Sequence, residues 1–225
     1  MIRAVLFDLD GTLLDTAPDL IRAANRLRLQ HGLDAIPAQQ VRPFVSKGGH
    51  AMLRAAFPDW SEAARAPLLQ PFLDLYREQI AVESRLFDGF DAVLDALDAR
   101  DMKLAIVTNK PAWLTEPLLI ESGLAPRFAA VLCGDSLAER KPHPAPVLEA
   151  CRRLRVAASD AVMVGDDERD IASARAAGAA SIAVRFGYAG ADENLAGWGA
   201  DHIIDTPGEL IRWLDTRTVP ATVAQ

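Results

Sequence analysis

Two carboxylates near the start of the chain have the spacing of a catalytic pair. Asp8 and Asp10 follow the apolar run 5–7 and precede Gly11. In an extended chain, side chains two residues apart point the same way, so both carboxylates can face one ligand while Gly11 lets the backbone turn. Carboxylates this close repel each other and must be neutralised by a cation, a proton or both. An isolated pair of this kind also fits an ordinary turn or the start of a helix.

Both ways of neutralising the pair are used in phosphate chemistry. A hard divalent ion with oxygen ligands, Mg²⁺ above all, balances the charge and also binds phosphate oxygens. A proton on one carboxyl group makes that group an acid. One carboxylate can then attack a phosphorus atom while the other delivers its proton to the departing alcohol.

Two later segments offer groups that could hold a phosphate. Thr108 and Asn109 close the apolar run 104–107 and present a hydroxyl and a backbone N–H. Lys141 begins a proline-bounded turn, which can fix its ammonium against the negative charge that builds up in the transition state. Taken alone, a threonine after a strand or a lysine in a proline-rich loop is more often an ordinary structural residue.

A second acidic segment, Gly-Asp-Asp-Glu-Arg-Asp at 165–170, repeats the layout of the opening stretch after another apolar run. We predict Asp166 as a direct metal ligand and Asp170 as a ligand that acts through water or orients the others. The role of Asp167 stays open at this point. Acidic residues here also suit the start of a helix, where the helix dipole favours negative charge.

The elements that must position these residues alternate between strands and helices from residue 87 onward. Such alternation predicts an α/β fold, a Rossmann-like doubly wound parallel sheet, in which ligands bind at the carboxyl ends of the strands. The run 5–7 lacks polar alternation, as expected for a strand buried on both faces. Further strands are predicted at 104–108, 130–133, 161–164, 181–184 and 202–204, and helices near 93–97, 118–122, 146–154, 171–177 and 207–214.

Between the first strand and residue 85 the spacing of apolar residues is helical, with no strand-like run. We therefore predict a core formed by residues 1–16 and 85–217, an inserted α-helical cap at 17–84, and a disordered tail at 218–225. Glycines and prolines divide the cap into four or five short helices. Its loop Ser-Lys-Gly-Gly-His at 46–50 is a candidate for substrate recognition through Lys47, Gly48 and free N–H groups, with a plain interhelical turn as the alternative.

Composition narrows the partners. The chain has 225 residues, half of them apolar, and a net charge of −7, which argues against binding to a nucleic-acid backbone. The cap has eight Lys/Arg against seven Asp/Glu, so it is less acidic than the core. This suits an anionic substrate, such as a small phosphorylated metabolite, but a solvated helix surface explains it equally well. No apolar run is long enough for a membrane span, and Asp8 interrupts the candidate leader sequence, so we expect a cytoplasmic protein. We also expect the protein to be a monomer or a homodimer. Cys133 and Cys151 are expected to be buried and unpaired.

Together the four motifs resemble those of the haloacid dehalogenase-like hydrolases over nearly the whole chain. The resemblance implies that Asp8 is the nucleophile and a metal ligand. It implies that Asp10 is the general acid and then the base, with its backbone carbonyl on Mg²⁺. It further implies that Thr108, the Asn109 amide and Lys141 hold the phosphate.

Within that superfamily the chain is similar to phosphoglycolate phosphatases through Val-Thr-Asn-Lys-Pro at 107–111 and the cap. It is also similar to the bacterial N-acetylmuramic acid 6-phosphate phosphatases of cell-wall recycling through segments 86–89, 184–188, 192–194 and 198–201. The muramic acid ester is the favoured substrate and 2-phosphoglycolate the alternative. Both esters have a carboxylate, so the size of the cleft must separate them.

Other activities stay open at different strengths. A sugar phosphomutase would share all four motifs, and a non-catalytic sugar-phosphate sensor could share the fold. A dehalogenase lacks the second carboxylate, so Asp10 speaks against it. An aspartyl-phosphate ion pump needs membrane spans that are missing.

Overall fold

The computed structural model of the protein describes residues 1–189 and 193–218. In chain order the strands are β1 (Ala4–Phe7), β2 (Leu14–Asp15), β3 (Arg85–Leu86), β4 (Lys103–Val107), β5 (Ala130–Leu132), β6 (Ala161–Gly165), β7 (Ala180–Val184) and β8 (His202–Ile204). The helices are α1 (Ala17–Gln30), α2 (Ala38–Val41), α3 (Gly49–Ala56), α4 (Glu62–Arg65), α5 (Leu69–Glu78), α6 (Phe90–Asp98), α7 (Ala112–Glu121), α8 (Ala145–Leu154), α9 (Glu168–Ala177) and α10 (Gly208–Thr218).

Within the described ranges, six strands form one parallel sheet in the order β5-β4-β1-β6-β7-β8. The chain builds outward from β1 to β5, then crosses back to β6 and builds outward on the other side. This is the doubly wound arrangement, and its reversal point lies between β1 and β6, where ligands bind in such sheets. The predicted fold class is confirmed, and the reversal point lies where Asp8 and Asp166 end their strands.

Strand β1 is buried on both faces because each face has its own apolar layer. Val5 and Phe7 belong to the larger core cluster, whereas Ala4 and Leu6 belong to a second cluster that includes side chains of α8. All four are fully buried. Burial of a large apolar side chain stabilises the folded state by roughly 1.5–3 kcal/mol. This helps to offset the cost of placing two carboxylates at the end of the strand.

The segment 17–84 contains α1 to α5 and two 3₁₀ turns. Its two connections to the sheet pair with each other as a short antiparallel ribbon of β2 and β3, with Leu14 opposite Leu86. The sequence did not indicate these strands, because two-residue strands are too short to show periodicity. Asp19 closes the second connection by accepting hydrogen bonds from Glu83 N and Ser84 N, each at 2.9 Å. The division of the chain into core and cap at these residues stays a prediction.

Helix boundaries differ from the predicted ones by a few residues at several helices, including α6 and α9, which begin three residues early. Helix α7 begins six residues earlier than expected, directly after Pro111, and tolerates Pro117 inside it. Helix α10 continues to Thr218, and the predicted tail from residue 219 onward lies outside the described residues, as does Asp192. Cys133 and Cys151 are buried and unpaired, as predicted. None of the helices described is both long and apolar enough to cross a bilayer.

Candidate active site

The predicted site residues surround one cavity of about 340 Å³ between the carboxyl edge of the sheet and the helical segment 17–84. The predicted residues that line it are Asp8, Asp10, Lys47, Gly48, Thr108, Asn109, Lys141 and Asp170. They come from distant parts of the sequence, and the ends of parallel strands bring them to one edge. Asp166 does not line the cavity itself, but its carboxylate lies close to those of Asp8 and Asp170, which do.

Three buried carboxylates form a cluster at the base of the cavity. Asp8, Asp166 and Asp170 each offer an oxygen, and these oxygens all lie within 4.8 Å of one another. Burial, together with the charges of Asp8 and Asp170, raises the pKa of Asp166 well above its usual value. Burial also raises the pKa of Asp170, to about 7, although Lys141 opposes it. Carboxylate oxygens that repel one another in this way are suitable ligands for a divalent cation, so the cluster could hold a metal ion.

Hydrogen bonds from three directions orient the carboxylate of Asp166. Its Oδ2 accepts from Ser46 Oγ at 2.8 Å and from Tyr188 N at 2.9 Å, and its Oδ1 accepts from Thr12 Oγ1 at 3.3 Å. Gly11 makes room for this group, because a Cβ at that position would overlap Asp166 Oδ2. Partners of this kind fix the direction of a ligand oxygen.

Lys141 neutralises part of the cluster from within. Its ammonium is buried and donates to Asp8 Oδ1 at 2.9 Å and to Val107 O at 2.6 Å, and it lies 2.5 Å from Asp170 Oδ1. Burial alone would lower the pKa of Lys141, but Asp170 and Asp8 outweigh burial and raise this pKa above its usual value. The lysine therefore stays charged beside Asp8.

The carboxylate of Asp10 lies apart from this cluster. Its Oδ1 accepts from Thr16 Oγ1 at 2.5 Å and from Lys110 Nζ at 2.8 Å. Its backbone carbonyl oxygen lies 3.2 Å from Ser46 Oγ, which also contacts Asp166. A metal contact by Asp10 would accordingly use the carbonyl, as the resemblance implied, and leave the carboxylate free for proton transfer.

The groups expected to hold phosphate lie at the end of β4. Thr108 Oγ1 accepts a hydrogen bond from Lys110 N at 3.1 Å. Among the described residues no group accepts a hydrogen bond from the Thr108 O–H, so this O–H can donate to an anion. Asn109 Nδ2 donates to Lys141 O at 3.0 Å and ties the two loops together.

The loop 46–50 lines the cavity. Of the free N–H groups expected in this loop, those of Lys47 and Gly48 donate within a turn to Phe44 O at 3.1 Å and Val45 O at 3.0 Å. No acceptor for the N–H groups of Gly49 and His50, at the start of α3, is found among the described residues. Lys47 Nζ lies 3.6 Å from Glu193 Oε2.

Asp167, whose role the sequence left open, pairs with Arg169 instead of joining the carboxylate cluster. Arg169 Nε and Nη2 donate to its two oxygens at 2.6 and 2.9 Å, and Asp167 caps α9. Burial opposes ionisation, but these bonds lower the pKa of Asp167. Arg169 Nη2 also donates to Ser46 O, which joins α9 to the helical segment.

Sequence reasoning missed Lys110 and Tyr76. Lys110 is buried and pairs with Asp10, while its Nζ lies 4.6 Å from the centroid of the Tyr76 ring. Burial raises the pKa of Tyr76 to about 12. Burial would lower the pKa of Lys110, but Asp10 reverses this and raises it. The position of Lys110, directly after Thr108 and Asn109, was the available signal, whereas nothing near Tyr76 distinguished it from a core aromatic.

Comparisons with known proteins show the family to which the chain belongs. Residues 5–184 match the family model described as haloacid dehalogenase-like hydrolase. A phosphoglycolate phosphatase of Xanthomonas campestris pv. campestris is 47% identical over 208 residues, covering 92% of this chain and 94% of that protein. An N-acetylmuramic acid 6-phosphate phosphatase of Pseudomonas aeruginosa is 45% identical over 215 residues, covering 95% of each.

A solved structure agrees as well. The crystal structure of a predicted phosphoglycolate phosphatase from Haemophilus somnus 129pt superposes with a TM-score of 0.83 at 29% identity, covering 95% of this chain and 98% of that one. The chain therefore belongs to the haloacid dehalogenase-like hydrolases, as its motifs predicted.

Proposed function

We propose that this protein is a Mg²⁺-dependent phosphatase that hydrolyses a small phosphate monoester through an aspartyl-phosphate on Asp8. The main support is that Asp8, Asp10, Thr108 and Lys141 line one cavity and that oxygens of Asp8, Asp166 and Asp170 lie within 4.8 Å of one another beside it. Each of these side chains has an ordinary structural explanation alone. Their convergence at the reversal point of the sheet has none.

Asp8, Asp166 and the backbone carbonyl of Asp10 would hold Mg²⁺, and Asp170 would orient them. The donor set fits this ion because it consists of oxygens and because its buried like charges need a cation. When bound, Mg²⁺ would offset the carboxylate charge and polarise the phosphoryl oxygens.

The side chains then have distinct tasks in two steps. First, an Asp8 oxygen bonds to phosphorus while the ester P–O bond breaks, and Asp10 gives its proton to the departing alkoxide. Second, Asp10 takes a proton from water as the water oxygen bonds to phosphorus, and the bond to Asp8 breaks to release inorganic phosphate. Lys141 and the Thr108 hydroxyl stabilise the phosphoryl oxygens throughout. Uncatalysed hydrolysis of such esters is among the slowest known reactions, so this charge placement is needed.

The substrate we favour is N-acetylmuramic acid 6-phosphate, which would place the protein in peptidoglycan recycling. One wall of the cavity is apolar and comes from the helical segment, with the side chains Leu20, Val45, Met52, Leu69 and Leu73. The muramic acid ester has lactyl and acetamido methyl groups that such a wall can cover. The Pseudomonas aeruginosa relative named for this substrate supports the choice.

The alternative substrate is 2-phosphoglycolate, which is supported by the names of several relatives, including the one from Xanthomonas campestris. This ester has a single methylene between its two anionic groups. It would leave the apolar wall of the cavity largely unused.

The deciding experiment measures inorganic phosphate released from both esters by the purified protein with Mg²⁺. We expect kcat/KM for the muramic acid ester to be at least about tenfold higher, equivalent to about 1.4 kcal/mol of transition-state binding. Asp8→Asn should abolish release from either ester, whereas Asp160→Asn, at the opposite edge of the sheet, should not. Preference for 2-phosphoglycolate would refute the substrate, and activity in Asp8→Asn would refute the nucleophile. Transfer of phosphate to a sugar hydroxyl would indicate a phosphomutase.

A further inference from the structure

An aromatic ring from the helical segment lies beside the polar base of the cavity. Tyr76, on α5, is 1% exposed, and its ring centroid lies 4.6 Å from Lys110 Nζ. An ammonium within about 6 Å of a ring centroid is attracted to the face of the ring. The Tyr76 hydroxyl forms no hydrogen bond of ordinary geometry among the described residues, although it is close enough to interact with the charge of Lys110, so the ring face is the contact of defined geometry.

Lys110 transmits this contact to Asp10. Its Nζ donates to Asp10 Oδ1 at 2.8 Å, and the two side chains are only 7% and 14% exposed. Thr16 Oγ1 donates to the same oxygen at 2.5 Å. Both donors therefore fix one oxygen, and Oδ2 is left as the oxygen with no donor from the described part of the chain. A carboxylate held in this way has a defined direction for proton transfer.

We propose that Lys110, clamped by the ring of Tyr76, is the positioning residue for the carboxylate of Asp10, which it orients for the proton transfer from water in the second step. The proposal rests on the proposed function and deepens it. A lysine ammonium is a point charge on a flexible stem, so by itself it orients a partner poorly. The ring supplies a second contact that constrains the ammonium. The helical segment thus contributes to catalysis through one aromatic contact as well as by closing the cavity.

A substrate-binding role for Lys110 fits the structure less well. Its charge is already matched by Asp10 in a buried pair, and a substrate anion would have to displace that carboxylate. Arg140 lines the same cavity, is exposed, and forms no ion pair with any described residue. A carboxylate on the substrate would meet Arg140 without breaking an existing pair.

The test uses p-nitrophenyl phosphate, whose leaving group departs without a proton, so that its release does not need the acid. Hydrolysis of the aspartyl-phosphate does need Asp10, as a base. In Lys110→Met we expect a rapid burst of about one equivalent of p-nitrophenolate per enzyme, followed by turnover that is slower than in the unmodified protein by about 100-fold. For an alkyl phosphate, kcat should fall by a similar factor and KM should change by less than about threefold.

Variants of the ring test the clamp. Tyr76→Phe retains the ring and should behave like the unmodified protein, whereas Tyr76→Leu should show the burst and a kcat reduced by about tenfold. Phe72→Leu is the matched control, because Phe72 is a fully buried aromatic on the same helix, while the ring contact of Lys110 among the described residues is with Tyr76. Its kcat should stay unchanged at a comparable loss of thermal stability.

Several outcomes would overturn the proposal. A large rise in KM with normal kcat in Lys110→Met would make Lys110 a substrate-binding cation. The absence of a burst, or equal effects of Tyr76→Leu and Phe72→Leu on kcat, would show a structural role only. If Lys110→Met fails to fold, Tyr76→Leu gives the same decision. A burst in Asp8→Asn would instead refute the proposed function, so the two failures can be distinguished.

Discussion

Without metal, this protein should become less stable as the pH rises. Asp166 and Asp170 are buried beside Asp8, and mainly because of burial their pKa values are raised, that of Asp170 to about 7 from an ordinary value of 3.8. A carboxyl group with a raised pKa binds its proton more tightly in the folded than in the unfolded state. Its contribution to the free energy of unfolding therefore falls from pH 3.8 to about pH 7 and is constant above.

The size of this effect follows from the pKa of Asp170. Between pH 5 and pH 8 about two units of this pKa difference are crossed, which corresponds to about 3 kcal/mol and for a chain of this length lowers the melting temperature by roughly 6–12 °C. Asp166 acts in the same direction. Mg²⁺ binds the deprotonated carboxylates, so at 100 times its Kd it should return about 2.7 kcal/mol at pH 8, or roughly 5–11 °C. At pH 5 the gain should be much smaller, because protons compete with the ion.

Scanning calorimetry between pH 5 and pH 8, with EDTA or with Mg²⁺, measures both effects. Asp166→Asn is the informative variant, because an amide oxygen can still accept from Ser46 and Tyr188 while the charge is gone. We expect it to melt above the unmodified protein in EDTA at pH 8 and to lose the response to Mg²⁺. Asp160→Asn should change neither. A melting temperature that rises with pH in EDTA, or a full Mg²⁺ response in Asp166→Asn, would refute the reasoning.

Three further variants test the site. Gly11→Ala should displace Asp166 and reduce phosphate release by at least about 100-fold. Gly178 also has a positive φ but open space around it, so Gly178→Ala should lower the free energy of unfolding by only about 1–2 kcal/mol in calorimetry. Equal activities of the two variants would contradict this. Lys141→Met should cost about 3–5 kcal/mol in denaturant unfolding by leaving buried carboxylates unpaired, and an unchanged midpoint would count against the ion pairs. Ser46→Ala should weaken Mg²⁺ binding by about 10–100-fold in titration calorimetry, and equal affinity would show that its hydrogen bond does not orient the cluster.

The sequence by itself determined the sheet and most of the catalytic edge. Local patterns were sufficient for this, because an apolar run before Asp8 or Asp166 has the composition of a buried strand, and parallel strands end at one edge. The same logic predicted that Thr108 and Lys141 would lie near Asp8, and the structure places all of them around one cavity.

Only the tertiary structure decided how the helical segment meets that edge. The contact of Tyr76 with Lys110, the hydrogen bond from Ser46 to Asp166 and the pairing of β2 with β3 join residues far apart in sequence. Such contacts leave no periodic pattern, because each depends on one side chain and on the relative placement of two elements. The N–H of Gly48 shows the same limit, since it donates to Val45 O in a turn that composition did not reveal.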